Sequence, residues 1–246
     1  MKTIFTFLCV LLCAGKLCAT ETAADFATAN ELYAKGKFTD AAAAYEKILQ
    51  TGALSPELLF NCGNAEFKAG NTGRAIAALQ RAEQLAPRDA EIRANLDFVR
   101  SQVPGATLRE RRWQNWLGAL TLNEWTWLTV VVFWLTFILL AARQVRPALA
   151  PRLKNATFVF IGVTILAGVV LGIQVDSHFS QSTAVVITAE ATARSGPFAD
   201  AQNAFITHNG AELSVVSRHD DWVQVADASG KSGWLPVKQV ELLRGA

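Results

Sequence analysis

The chain has 246 residues, of which 51% are hydrophobic, and its 23 lysines and arginines nearly balance 21 aspartates and glutamates. A chain of this length and apolar content has room for two small domains and membrane segments, which argues against a single large soluble core. The balanced charge provides no basic surface for nucleic acid, so we expect no nucleic-acid partner.

Residues 1–19 have the pattern of a secretory signal peptide. Lys2 precedes an uncharged apolar run over residues 3–15, which is too short to span a bilayer comfortably. We expect cleavage after Ala19 and export of the rest of the chain. A retained signal anchor is the alternative, because Leu17 stands where a cleavage site prefers a smaller residue.

Three of the four cysteines lie within this signal peptide, so Cys62 remains as the only thiol of the exported chain. A single thiol excludes an internal disulfide. Cys62 falls on the apolar face of a predicted helix, and buried thiols usually behave as small hydrophobic groups. We therefore expect it to pack in a core and not to act as a nucleophile.

Residues 24–103 repeat their own pattern with a period of 34 residues. The matched pairs are Gly36 and Gly70, Asn30 and Asn64, and Tyr33 and Phe67. A unit of this length is a pair of helices that cannot bury its apolar face alone, so neighbouring units stack. The stack leaves a concave surface suited to holding another polypeptide. The pattern therefore favours a binding protein over a catalyst.

The repeat resembles a tetratricopeptide repeat. In the second unit the family's signature positions are occupied by Asn61, Gly63, Asn64, Phe67, Gly70, Ala75, Leu79, Ala82 and Pro87. The first unit is recognisable mainly as an echo of the second, and a third helix over residues 89–100 is expected to cap the stack. Because so short a stack is marginal by itself, we expect a membrane-proximal segment or a partner to help hold it.

The resemblance implies a ligand groove on the inner face of the stack. The family's ligand-facing positions fall on Asn30, Tyr33, Asn61, Asn64, Phe67, Lys68 and Asn95. Side-chain amides there can hydrogen-bond an extended peptide backbone, with aromatic surface beside it. The alternative is that these asparagines tie the helices to each other. The basic pairs that grip a terminal carboxylate in some family members are absent, so we do not expect recognition of a free C-terminus.

Residues 125–142 and 155–175 contain no charged side chain. Each segment approaches the length of roughly 20 apolar residues that a hydrocarbon core requires, so we expect two transmembrane helices, the first preceded by a juxtamembrane linker over residues 104–124. Buried helices of a soluble protein are the alternative. Gly168 and Gly172 form a small-residue pair that could pack closely against the first span or a partner.

The loop over residues 143–154 sets the expected orientation. It contains Arg143, Arg146, Arg152 and Lys154 and no acidic residue, which is typical of a cytoplasmic loop. Together with an exported N-terminus, this predicts a two-pass membrane protein with both soluble parts extracytoplasmic. In a bacterium with two membranes, that means the inner membrane, with both parts in the periplasm.

Residues 183–244 contain short β-prone runs separated by turn residues, which predicts a small all-β barrel. The order of Ser195-Gly196-Pro197, Gly210, Trp222, Gly233 and Trp234 resembles a bacterial Src-homology-3-like domain. Members of that family commonly bind peptides or cell-wall fragments. Trp222 and Trp234 could line such a ligand groove, or they could fill the barrel core.

The predicted fold class is thus multidomain, with an all-α tetratricopeptide-repeat stack, a two-helix transmembrane hairpin and a small all-β Src-homology-3-like barrel. This order of parts resembles the BatE-type membrane proteins of aerotolerance operons. The resemblance implies a non-enzymatic envelope scaffold, with von Willebrand A-type membrane proteins and a MoxR-type ATPase system as partners. A peptidoglycan-binding tether is the alternative. No motif for catalysis, metal or cofactor binding is present, so we expect no cofactor, and a membrane hydrolase has no motivating residue.

Overall fold

The computed structural model describes residues 23–103, 120–180 and 182–243. The predicted signal peptide, residues 1–19, and most of the predicted linker over 104–124 lie outside the described residues. The chain divides into two compact units. The first contains the N-terminal helices and the C-terminal strands, and the second contains two long apolar helices.

Five helices form the part of the first unit that we call the repeat module, residues 23–103. They are α1 (residues 23–34), α2 (Phe38–Gln50), α3 (Pro56–Lys68), α4 (Thr72–Leu85) and α5 (Ala90–Ser101). Consecutive helices from α2 to α5 pack against each other in chain order. This arrangement is the stack of helical pairs that the 34-residue period predicts.

Local chemistry sets the ends of these helices. Gly36 and Gly70, at equivalent turns of the two repeats, have φ angles of +75° and +88°, which residues with a Cβ rarely adopt. Pro56 lies in the first turn of α3, where a missing N–H costs nothing, and Ser55 accepts a hydrogen bond from a main-chain N–H of that turn. Asp89 caps α5 in the same way.

Small residues let the helices of the stack approach closely. Ala29, Ala41, Ala65 and Ala75 are fully buried. A Cβ added at Gly63 would lie only 2.8 Å from Leu79 Cγ. The spacing between α3 and α4 therefore depends on the absence of a side chain at this position.

Cys62 packs in the same core, with 3% of its surface exposed. Burial, reinforced by the nearby Glu66 carboxylate, raises the pKa of the Cys62 thiol to about 12. A thiol that stays protonated at neutral pH is a poor nucleophile. The structure thus places Cys62 where a packing residue is expected.

The second unit contains α6 (Leu122–Val145) and α7 (Ala150–Ser180), joined by a short 3-10 helix, Pro147–Leu149. A capping box of Thr121 and Glu124 begins α6. Among the described residues, these are the helices long and apolar enough to cross a membrane by length and composition. In the most apolar stretch of each helix, only 6% of α6 and 11% of α7 is buried. Core helices of a soluble protein are mostly buried.

Both helices extend beyond the segments predicted to span, residues 125–142 and 155–175. Most of the predicted loop over residues 143–154 is helical, because Pro151 falls in the first turn of α7, where proline is tolerated. The charged residues of this loop therefore lie mainly on helix ends.

The helices α6 and α7 pack against each other through threonines. Thr136 Oγ1 lies 2.8 Å from Thr164 Oγ1 and donates to a main-chain carbonyl of its own helix. Gly168 and Gly172 do not take part, because a Cβ added at either would meet no atom within 4 Å. The small-residue pair therefore faces away from α6, and packing against the first span is not its role.

Seven strands form what we call the β module, residues 182–243. They are β1 (Thr183–Val186), β2 (Glu190–Arg194), β3 (Asn203–His208), β4 (Glu212–His219), β5 (Trp222–Ala226), β6 (Ser232–Pro236) and β7 (Val240–Leu243). Every pairing is antiparallel, in the order β3-β2-β6-β5-β4-β1-β7. Val186, Val223, Val225 and Leu235 centre its core. The predicted fold class is confirmed: helical repeats, two apolar helices and an antiparallel all-β module.

Strand β1 is buried on both faces. Val186 points into the core of the β module, whereas its neighbour Val185 packs in a cluster with residues of α4 and α5. A continuous apolar run is what a strand covered on both sides requires. The repeat module and the β module therefore share an apolar cluster.

We expect Gly63→Val to lower the free energy of unfolding by about 1–3 kcal/mol, because the new side chain overpacks the contact between α3 and α4. Hydrogen exchange of these two helices in the purified full-length protein measures the loss. The matched control is Ala27→Val, on an exposed position of α1, where the cost is only the lower helix propensity of about 0.5 kcal/mol. Equal exchange in both variants would contradict the close approach at Gly63.

Candidate functional site

Four of the predicted groove asparagines form two hydrogen-bonded pairs that connect three helices. Asn61 Nδ2 of α3 donates to Asn30 Oδ1 of α1 over 3.3 Å, and Asn95 Nδ2 of α5 donates to Asn64 Oδ1 of α3 over 3.1 Å. The two members of each pair are separated by 31 residues. The stacking of repeats thus brings the side chains together, and the pattern recurs from one unit to the next.

A tyrosine that sequence reasoning missed holds the first pair in place. The Tyr45 hydroxyl of α2 donates to Asn30 Oδ1 over 2.6 Å, and its ring is buried. Burial is the main cause that raises the pKa of Tyr45 to about 12, so the hydroxyl remains a donor at neutral pH. Asn30 Oδ1 therefore accepts two hydrogen bonds, which fixes the orientation of this amide.

Three of the four asparagines and two tyrosines line an open pocket of about 150 Å³. Its lining residues are Asn30, Tyr33, Tyr45, Asn61 and Asn64. Among the described residues, no further side-chain hydrogen bond is made by Asn30 Nδ2, Asn61 Oδ1, Asn64 Nδ2 or Asn95 Oδ1. The two pairs thus leave two donors and two acceptors, and each peptide group of an extended chain has one of each.

Aromatic rings accompany the amides. The Tyr33 ring contacts Phe38 edge-on with centroids 5.2 Å apart, and the Phe67 ring contacts Phe98 edge-on at 5.7 Å. Phe98 is 55% exposed. Sequence reasoning missed Phe98, although it follows Asn64 by one 34-residue period and so occupies the same position of the next unit.

Lys68, the remaining predicted groove residue, is exposed at the end of α3. In the part of the chain that the structure describes, it takes part in no ion pair. The two amide pairs themselves contain no cationic side chain.

Trp222 and Trp234 lie on the β module, apart from the other predicted residues along the chain. The register pairs Trp222 with Pro236 and Gln224 with Trp234, so the two indoles are diagonal neighbours on the same face of β5 and β6. Both are partly exposed, and neither belongs to the core cluster, which their sequence neighbours fill. The structure therefore disagrees with the alternative that these tryptophans form the core.

Within residues 23–103, 120–180 and 182–243, no group of three or more histidine, cysteine, aspartate or glutamate side chains could hold a metal ion. The arrangement of the candidate site offers hydrogen bonds and apolar contact.

Comparison with known proteins assigns the two modules separately. Residues 26–90 match a family model described as a tetratricopeptide repeat, and residues 188–241 match one described as a bacterial SH3 domain. No curated protein matches the chain. A solved structure of an NlpC/P60 family protein from Bacillus cereus ATCC 10987 is 15% identical over 27% of this chain and 21% of that chain, with a TM-score of 0.23. The chain thus combines a tetratricopeptide repeat with a bacterial SH3 domain.

Proposed function

We propose that this protein is a non-enzymatic, membrane-anchored scaffold of the bacterial cell envelope that binds protein partners through the groove of the repeat module. Tetratricopeptide repeats and SH3 domains both mediate protein interaction, as the two family matches imply. The observation that carries the proposal is the pair of amide contacts across α1, α3 and α5.

The groove suits an extended peptide segment of a partner. The amides are held by each other and by Tyr45, so little side-chain freedom is lost when a ligand binds. Their remaining donors and acceptors match a peptide backbone, while Tyr33, Phe67 and Phe98 offer apolar surface to its side chains. Because the amide pairs form without basic residues, an internal segment fits better than a terminal carboxylate.

The long apolar helices support anchoring in a membrane. Their exposed faces carry large apolar side chains, with Trp127 at 64% exposure and Phe137 at 54%, which would be unfavourable in water. The basic residues between them favour a cytoplasmic position for this turn. The proposed anchor is therefore a hairpin whose ends both face the periplasm.

Independently of the charges, the contact between the two modules supports their placement on one and the same side of the membrane. The repeat module and the β module belong to one compact unit and share an apolar cluster. Parts of one folded unit lie on one side of a membrane. The chain between them must then cross the membrane an even number of times, as two spanning helices do.

The order of parts supports a place beside the BatE-type proteins of aerotolerance operons. That resemblance suggests von Willebrand A-type membrane proteins and a MoxR-type ATPase system as partners. The groove is where such a partner would supply its extended segment. An exported N-terminus is part of the same proposal.

A peptidoglycan-binding tether is the second candidate function. It is favoured by the two partly exposed indoles on one face of the β module, because neighbouring aromatic rings offer apolar surface to ligands such as sugars. The proposed periplasmic position would bring this face to the cell wall.

We expect Asn61→Ala with Asn64→Ala to reduce recovery of the crosslinked partners about thirtyfold, because two hydrogen bonds of about 1 kcal/mol each to the ligand are lost. The measurement is a crosslinking pull-down from native membranes, quantified by mass spectrometry. Asn71→Ala is the matched control, since Asn71 makes a side-chain bond of 2.7 Å to Glu66 outside the pocket. Full recovery with the double variant would count against the groove.

Single cysteines test the topology in intact spheroplasts. We expect a membrane-impermeant maleimide to label Ala27→Cys in the repeat module and Ser229→Cys in the β module, because both exposed positions face the periplasm. Ala148→Cys, between the spans, should react only after permeabilisation. The burial of Cys62 keeps the background low. Labelling of Ala148→Cys alone in intact spheroplasts would refute the proposed orientation.

For the tether, we expect the full-length protein in detergent to sediment with purified cell wall and the Trp222→Ala, Trp234→Ala double variant to remain in solution. The physical reason is the loss of two aromatic contacts with the cell wall, each of about 0.5–1.5 kcal/mol. Ile206→Ala, which removes an exposed apolar side chain from β3, serves as the control. If the unaltered protein does not sediment, the tether is excluded.

A further inference from the structure

The end of the repeat stack is covered by the β module. Ile76 and Leu79 of α4 and Leu96 of α5 form one cluster with Val185 of β1 and Leu243 of β7, and each of these five is at most 3% exposed. A repeat stack leaves an apolar face open at its last unit, which needs a capping element. The sequence predicts the third helix as this cap, but the structure covers that helix in turn with strands.

Two glycines permit this close approach. A Cβ added at Gly73 of α4 would overlap the main-chain carbonyl oxygen of Val186, and one at Gly210 would lie 2.6 Å from Val103 Cγ2. Gly210 also has a φ angle of +86°, which disfavours other residues. At Gly73 and Gly210, the backbone of one module therefore lies directly against atoms of the other module, with no room for a Cβ between them.

The β module also supplies a cap for α4. The Gly73 N–H, in the first turn of that helix, donates to Asn209 Oδ1 over 2.7 Å. The residue before the helix, Asn71, makes no capping bond with its side chain. An N–H that the helix cannot satisfy is thus satisfied from the β module.

A buried carboxylate joins the same surfaces. Glu212 of β4 is 4% exposed and accepts hydrogen bonds from Arg100 Nε at 2.6 Å and Nη2 at 2.9 Å, and from Gln80 Nε2 at 2.6 Å. Arg81 and Glu241 add a second ion pair at 3.0 Å. A buried carboxylate costs several kcal/mol unless it is paired in this way, so the partners must stay together.

We propose that the β module is the C-terminal cap of the repeat stack, and that the groove of the repeat module is stable only while the β module is docked on α4 and α5. The apolar cluster and the hydrogen bonds to Glu212 involve both helices, and the helix cap involves α4. Undocking would expose the apolar cluster and leave Glu212 and Arg100 without each other.

The groove depends on this cap because α5 contributes residues both to the contact with the β module and to the row of paired asparagines. Leu96 and Val99 pack in the shared cluster. The residue before Leu96, Asn95, bonds to Asn64 in the amide row, and the residue before Val99, Phe98, contacts the Phe67 ring. Loosening of α5 therefore removes the Asn95 bond to Asn64. The role of the groove rests on the proposed function, but the cap itself does not.

The cap also sets the order in which the parts of the protein fold. The β module follows both long helices in the chain, so the repeats are completed only after that whole segment has been synthesised. If the proposed membrane topology holds, the groove becomes stable after the hairpin is inserted and the C-terminal part is exported. Partner binding before insertion is thereby disfavoured.

Hydrogen exchange of the full-length protein in detergent, without any partner, tests the cap. We expect Glu212→Lys to increase exchange in α4 and α5 on the order of tenfold or more, because it breaks a buried pair. Glu190→Lys makes the same change on an exposed position of β2 and should leave these helices as in the unaltered protein. If Glu212→Lys loosens the β module while α4 and α5 keep their protection, the proposal is overturned.

Gly73→Ala tests the same contact from the repeat side with the β module unaltered. In an uncapped helix, alanine in place of glycine slows exchange, because alanine has the higher helix propensity. We expect the opposite, about tenfold faster exchange in α4, since the new Cβ meets the Val186 carbonyl. Unchanged or slower exchange would overturn the proposal. Neither result depends on partner binding, so failure of the cap and failure of the groove are separable.

Discussion

The contact between α4, α5 and the β module is the constraint on which the rest of the first unit depends. At its centre, the carboxylate of Glu212 is enclosed by the guanidinium of Arg100 and the amide of Gln80, beside a continuous apolar cluster. The hydrogen bonds join residues 112 and 132 positions apart. Such a contact is stable because burial removes apolar surface from water while each charged group keeps its partners.

This constraint explains how a short repeat stack presents an ordered groove. Two and a half helical units offer few interfaces between neighbours. Each end of the stack also leaves an apolar face without a neighbouring unit to cover it. The β module covers one end and fixes α5, and α5 in turn fixes Asn95 against Asn64. Tyr45 performs the same task for Asn30 at the other end of the amide row. The asparagines of the groove are therefore held in position by Tyr45 and by the packing of α5 against the β module.

The long apolar helices are an insertion within this unit of the sequence. The α6 and α7 helices pack on each other through Thr136 and Thr164. They can thus form a separate unit while the chain on either side returns to one core.

The sequence by itself determined the elements, because those signals are periodic or local. The 34-residue period predicted the helical pairs, two uncharged segments predicted the long helices, and short β-prone runs predicted the all-β module. The tetratricopeptide resemblance singled out the four asparagines that the structure pairs. The 34-residue period would also have found Phe98. Lys68 lies exposed at the end of α3, and its part in binding stays a prediction.

Only the tertiary structure decided which elements meet. Gly73, Gly210, Glu212 and Arg100 look like ordinary turn or surface residues until α4 and α5 are placed against the strands. Tyr45 needs its distance to Asn30, and the exposed face of Trp222 and Trp234 needs the register of β5 and β6. The physical reason is that burial, close approach and ion pairing are properties of residues far apart in the chain, on which local pattern carries no information.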